Sequence, residues 1–167
     1  MTVYRIVQER DRANDLSGTG AFKFGGRWNN QGVYMLYTSE NRSLALLETL
    51  AHFDEEDAPP DLYILSIQIA RAAPIYDFPD SDLPHDWRDA EHIVLKGLGG
   101  SIFKSQKHVG FRARSAVLTE EFNIMLNPLF PGFADLVKIA SITRYQPDAR
   151  LYSRTFPTRF YTRKLNH

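Results

Sequence analysis

The spacing of apolar and polar positions divides the chain into a small set of predicted elements. Val3 to Val7 is a short apolar run suited to a first strand. A polar, glycine-rich stretch follows from Leu16 to Gly32, with glycines at 18, 20, 25, 26 and 32. Val33 to Thr38 predicts a buried strand. Ser39 stands where an N-cap would, ahead of a helix over Glu40 to Phe53. Pro59 and Pro60 mark an acidic loop, and Leu62 to Ala70 predicts a strand with Tyr63, Leu65, Ile67 and Ile69 on one face. Ala90 to Lys104 predicts a helix broken near Gly97 to Gly100. Val109 to Val117 holds a further strand and Leu136 to Thr143 a late one. Helices and strands intermix without clean βαβ units, which favours α+β over a doubly wound sheet. With no repeat, low-complexity tract or linker, the expectation is a single domain over 1–167, with 152–167 as a basic C-terminal tail.

Composition narrows the function classes. A chain of 167 residues can bury one real core. No stretch approaches the eighteen apolar residues of a membrane span, and Met1 to Arg10 lacks the apolar centre of a secretory signal. The absence of cysteine fits a reducing cytoplasm, the expected location, and excludes thiolate catalysis and Cys-ligated zinc. Twenty basic and twenty acidic residues cancel, whereas direct nucleic-acid binding usually brings a basic excess. The charge is uneven: Arg144 to His167 carries six Arg or Lys against Asp148 alone, and Asp54 to Asp61 is acidic. Those blocks read either as solvated surface or as contact with a charged partner.

The densest chemical signal is Gly25-Gly26-Arg27-Trp28-Asn29. Paired glycines allow close backbone approach, and the next three residues offer a forked cation, a π face and a two-way hydrogen-bonder. That set suits an anionic, aromatic ligand such as a dinucleotide; it equally fits a glycine turn with a core tryptophan. On a helical projection Leu44, Leu46, Leu47, Leu50, Ala51 and Phe53 form one apolar arc, and Glu48 lies at its edge beside Leu44. A carboxylate there is partly desolvated and pairs with a cation or a ligand, or keeps its head wet while its stem packs. Tyr37 reads as a stacking platform or as a core ring with a tethered hydroxyl. The histidines at 52, 85, 92, 108 and 167 show no metal-ligand spacing, so no metal site is expected. Ser115 lies in Arg-Ser-Ala-Val and not in a nucleophile elbow, and Asn123 and Asn127 read most simply as caps or turns.

Taken in order, these segments resemble one known family. Val3-Tyr4-Arg5-Ile6, Ser17-Gly18-Thr19-Gly20-Ala21 and Gly25-Gly26-Arg27-Trp28-Asn29 are similar to the opening of the RES domain. The Val33-to-Tyr37 strand, Thr38-Ser39-Glu40 and Leu44-Ala45-Leu46-Leu47-Glu48 continue it. Arg114-Ser115-Ala116-Val117 resembles the family's Pro-Ser-Ala-Val, Asn123 to Pro128 its Asn-x-x-x-Asn-Pro, and Asp148-Ala149-Arg150-Leu151 its closing Pro-Arg-Leu. Arg114 departs from the family's proline.

The resemblance implies an ADP-ribosyltransferase-like fold with a split β-sheet core that holds NAD⁺ as substrate, with no prosthetic group. It implies the toxin of a toxin–antitoxin pair, partnered by an Xre-like antitoxin, with room for a homo-oligomer within that complex. The acceptor of ADP-ribose is water, phosphate or a protein. Carried over by position, Glu48, Arg27 and Tyr37 match the family's catalytic residues. Arg5, Arg27, Trp28, Asn29, Tyr37, Ser115 and Asn123 match its dinucleotide-binding set. The antitoxin is expected to reach the cleft beside Arg27 and Arg5 with a carboxylate that mimics a phosphate. The rival classes are a ribonuclease-type toxin, which the zero net charge disfavours, and a non-enzymatic binding module, in which Glu48 would be dispensable.

Overall fold

The computed structural model describes residues 1–52, 62–89 and 92–151. The acidic loop around Pro59 and Pro60, the helix end at Phe53, the helix start at Ala90 and the tail at 152–167 lie outside those residues. The described strands are β1 (Thr2–Val7), β2 (Leu36–Ser39), β3 (Leu62–Ile69), β4 (Ile75–Asp77), β5 (Gly110–Arg114), β6 (Phe122–Leu126) and β7 (Val137–Tyr145). The helices are α1 (Thr19–Phe24), α2 (Arg42–Leu50), α3 (Ile93–Lys104) and α4 (Phe133–Leu136). The strands form one mixed sheet in the order β4-β5-β6-β2-β1-β3-β7, so the fold class is α+β. Pairing is antiparallel except between β4 and β5, which lie parallel with α3 in the chain between them.

The sheet opens in its middle. β1 runs against β3 from Thr2 to Val7 and β2 against β6 from Leu36 to Ser39, yet β1 and β2 meet only at Tyr4 and Ser39. Two half-sheets therefore diverge from one pairing, which is the split core that the resemblance implied. The two faces bury separate apolar clusters. Val3, Leu36, Leu65, Ile67, Ile69, Ile124 and Leu126 fill one, while Trp28, Phe78, Leu95, Phe103, Phe111 and Met125 fill the other. The face expected for β3 is the one buried, with Tyr63 packed at its margin.

Several expected boundaries move. The buried strand starts at Leu36 instead of Val33, and Ser39 ends it instead of capping the next helix. The cap is Asn41, whose Oδ1 accepts the Leu44 N–H at 2.8 Å, an Asx N-cap that outcompetes the upstream serine. Leu47, assigned to the apolar arc, is 40% exposed. α3 is unbroken through its glycines, against expectation. Burial explains one of them: a Cβ on Gly99 would lie 2.1 Å from the Trp28 carbonyl oxygen, so helix and glycine loop touch backbone to backbone. Tertiary packing here overrides propensity. Gly99→Ala should force α3 away from Trp28 at an overpacking cost of about 1–3 kcal/mol. Thermal unfolding checks it; an unchanged Tm would mean that the gap closes freely.

Candidate active site

The split between β1 and β2 carries two cavities that meet at Tyr37, Glu48 and His52. One, of about 310 Å³, lies on the β1 side and includes Arg5, Arg12 and Thr49. The other, of about 640 Å³, lies under the glycine loop and includes Arg27, Trp28, Arg114, Val117 and Asn123. α2 aims Glu48 into the junction, because its apolar residues Leu44 and Ala45 are buried and fix its rotation.

Glu48 is held by two donors distant in sequence. Ser115 Oγ donates to Glu48 Oε1 at 2.7 Å, and Asn123 Nδ2 donates to the same oxygen at 2.5 Å. Each donor is itself fixed. Ser115 is fully buried and its Oγ accepts the N–H groups of Val117 (3.1 Å) and Leu118 (3.0 Å). Asn123 Oδ1 accepts from Ser39 Oγ at 2.7 Å. Among the described residues Oε2 has no partner, so a positioned carboxylate presents one oxygen to the cavities. Asn123, read as a cap or turn, is a β6 strand residue paired with Ser39. Asn127 does make a turn, accepting the Leu129 N–H at 3.1 Å.

The glycine loop is organised around Tyr37. Its hydroxyl accepts the Trp28 N–H at 2.9 Å and donates to Asn29 Oδ1 at 2.8 Å. Asn29 is fully buried, and its Nδ2 reaches the carbonyls of Ala21, Asn30 and Val33 at 2.9–3.0 Å. A Cβ on Gly26 would lie 2.5 Å from the Tyr37 hydroxyl, so the loop needs glycine there. Burial pushes the Tyr37 pKa up, while the Trp28 N–H and the Arg27 cation oppose; the hydroxyl is a neutral phenol at physiological pH. Tyr37→Phe leaves the Trp28 N–H and Asn29 Oδ1 unpaired and should destabilise by about 1–3 kcal/mol. That corresponds to a Tm fall of roughly 2–4 °C per kcal/mol. A Phe variant as stable as the parent would show that the hydroxyl does not hold the loop.

Of the two readings of the glycine loop, the turn with a core tryptophan describes Trp28 and Asn29 in the structure. Trp28 does not offer a π face: it is 2% exposed, and its ring sits edge-on at 5.1 Å from Phe78 and from Phe111. Apolar burial outweighs any gain from an exposed indole. Asn29 spends its side chain on loop carbonyls and Tyr37, so it shapes the site from within.

The cations divide between the cavities. Arg27 Nη1 donates to the carbonyls of Trp87 (3.0 Å) and Asp89 (2.7 Å), which aims its guanidinium along the larger cavity. Arg114 also lines that cavity, but Asp80 already holds it at 2.7 and 2.9 Å. Without the family's proline, Ser115 is still anchored, its N–H donating to the Glu121 carbonyl at 2.9 Å. Arg5 faces the smaller cavity; burial lowers its pKa, Arg12 pushes the same way, and Asp15 opposes. Arg12 and His52 line the cavities but are not among the site residues expected from the sequence, where His52 is weighed only as a metal ligand. His52 follows Glu48 by four residues, a helical spacing that could have flagged it. Among the described residues no cluster of His, Asp or Glu could hold a metal ion, and no helix is long and apolar enough to cross a membrane.

Comparison with known proteins places this geometry in context. The family model of the RES domain matches residues 2–148. A protein named Toxin Res from Yersinia enterocolitica is 30% identical over 152 residues, covering 90% of this chain and 99% of that protein. A Prs ADP-ribosylating toxin from a Sphingobium species is 33% identical over 143 residues, covering 83% of this chain and 88% of that one. Among solved structures, the M. tuberculosis MbcT–MbcA toxin–antitoxin complex contains a chain that matches with a TM-score of 0.67 at 16% identity, covering 90% of this chain and 86% of that one.

Proposed function

The chain belongs to the RES domain family, and from that membership we propose that it is the toxin of a toxin–antitoxin pair, an enzyme that takes NAD⁺ as substrate and breaks the bond between nicotinamide and ribose. The observation that carries the reading is the Glu48 carboxylate, fixed by Ser115 and Asn123 where two cavities meet.

In the reaction, the ribose C1′–N bond breaks and its electron pair leaves on the nicotinamide nitrogen. C1′ gains oxocarbenium character, and an oxygen of the acceptor bonds to C1′ and loses its proton. Glu48 Oε2 holds a ribose hydroxyl and faces the developing positive charge, stabilising the transition state more than the ground state. Ser115 and Asn123 position that carboxylate. Arg27 and Arg5 grip the dinucleotide from opposite sides of Tyr37, and the Tyr37 ring flanks the nicotinamide. Trp28 and Asn29 support the loop that carries Arg27.

The Sphingobium relative is named for ADP-ribosylation of Prs, which supports a protein as one acceptor for this chain. Mass spectrometry of products from NAD⁺ alone, with phosphate and with cell lysate sorts the acceptors. Free ADP-ribose, its 1-phosphate or a modified protein is expected; intact NAD⁺ in every arm would overturn the reading. An NAD⁺-draining enzyme in the cytoplasm needs a tight inhibitor, and we assign that part to a cognate Xre-like antitoxin. The antitoxin should place a carboxylate beside Arg27 and Arg5, so saturating NAD⁺ should weaken its binding. Antitoxin binding indifferent to NAD⁺ and to Arg27→Ala would place inhibition on a remote surface.

A further inference from the structure

We propose that Arg12 is the second half of an anion clamp with Arg5, built to hold the diphosphate of a dinucleotide on the β1 side of the cleft. The proposal rests on the NAD⁺ reading above for the identity of its ligand, and on geometry for the clamp itself.

Arg5 and Arg12 line the same cavity of about 310 Å³, together with Tyr37 and Glu48. Other arginines of the sheet and the cleft have their charge or their donors engaged. Arg112 meets Glu40 at 3.3 Å, Arg114 meets Asp80 at 2.7 Å, and Arg27 donates to two carbonyls. Among the described residues, neither the Arg5 nor the Arg12 guanidinium has a hydrogen bond or an ion pair. Asp15 is the carboxylate that both feel, but its Oδ1 accepts the Ser17 N–H at 2.8 Å and neither arginine lies within ion-pair distance of it. Two like charges that share a cavity repel, and a dianion between them removes that cost.

Arg12 is also held in place to do this. It sits in a 3₁₀ turn over Arg10–Asn14, with its N–H donating to the Glu9 carbonyl at 3.2 Å and fully buried Ala13 anchoring the turn beneath it. The guanidinium lies beside Gly20 of α1, where a Cβ would stand 3.4 Å from Arg12 Nη2, an ordinary van der Waals contact. Arg5 is partly buried and Arg12 exposed, so the cavity they share carries one cation inside and one at its solvent side.

The test is calorimetric titration of inorganic pyrophosphate and of ADP-ribose into the wild-type chain, Arg12→Ala and Arg12→Lys, with steady-state NAD⁺ kinetics on the same proteins. Arg12 is exposed, so both variants should fold, and matched Tm values check this. Arg12→Ala is expected to weaken both ligands about tenfold, the loss of one charge-assisted contact. It should raise the KM for NAD⁺ in proportion, with a much smaller change in kcat. Arg12→Lys should recover only part, because an ammonium lacks the planar fork. A wild type that does not bind pyrophosphate, or an Arg12→Ala variant with unchanged affinity and KM, would overturn the clamp. Tight pyrophosphate binding that depends on Arg12, in a protein that releases no nicotinamide, would uphold the clamp and remove the NAD⁺ reading instead.

Discussion

Glu48→Gln should reduce nicotinamide release roughly a hundred- to a thousandfold, about 2.7–4 kcal/mol of transition-state stabilisation, while the fold stays intact. The expectation of an intact fold comes from the hydrogen bonds. Ser115 and Asn123 both donate to Oε1, and a glutamine amide oxygen can accept the same two donors. The amide nitrogen then replaces Oε2, so a neutral donor faces the ribose where a negative charge stood. Binding of NAD⁺ should change much less than kcat, because the charge matters most once C1′ becomes cationic. Single-turnover assays with a Tm control separate these effects. A folded Glu48→Gln protein with near-parental turnover would sink the mechanism. Ser115→Ala should act through the same carboxylate but more mildly, since Asn123 remains.

Arg27→Ala should weaken NAD⁺ binding by about 1.5–3 kcal/mol, roughly ten- to a hundredfold in KM. Arg27 Nη1 is committed to the Trp87 and Asp89 carbonyls, which leaves Nε and Nη2 to face a ligand. A lysine offers one ammonium for both tasks. Arg27→Lys must give up either the backbone anchor or the ligand, and should rescue poorly. Full activity in the lysine variant would reduce Arg27 to a distant counter-charge.

Strands that bury a single face are legible in the chain by alternation, and strands that bury both faces are not. β3 is legible because it buries one face in alternation, with Leu65, Ile67 and Ile69 all turned into the same cluster, and β1 because it is a short apolar run. β6 is not. Ile124 and Leu126 face one cluster and Met125 the other, so this central strand is apolar on both sides and shows no period of two. Three-residue β4 is too short for any periodic signal. The glycines of α3 read as a break, since nothing local announces that Gly99 must pass against Trp28.

The candidate site divides the same way. Glu48 is marked by its position at the edge of the apolar arc from Leu44 to Phe53, a property local to one expected helix. Its partners lie 67 and 75 residues away and become neighbours only through the sheet order, which single-sequence patterning does not encode. Trp28 and Asn29 stood out as chemistry-bearing types, but the structure spends them on packing and on the loop's own carbonyls.

The most direct test of the central claim is a proton NMR time course of NAD⁺ with the purified wild-type chain, following the two anomeric ribose signals. The signal of the ribose bonded to nicotinamide should vanish as free nicotinamide grows in equal amount, while the adenosine ribose signal persists. Loss of NAD⁺ by scission at the diphosphate, with nicotinamide still bonded to its ribose, would contradict the assignment of the reacting bond, and two unchanged anomeric signals would contradict the NAD⁺ reading as a whole.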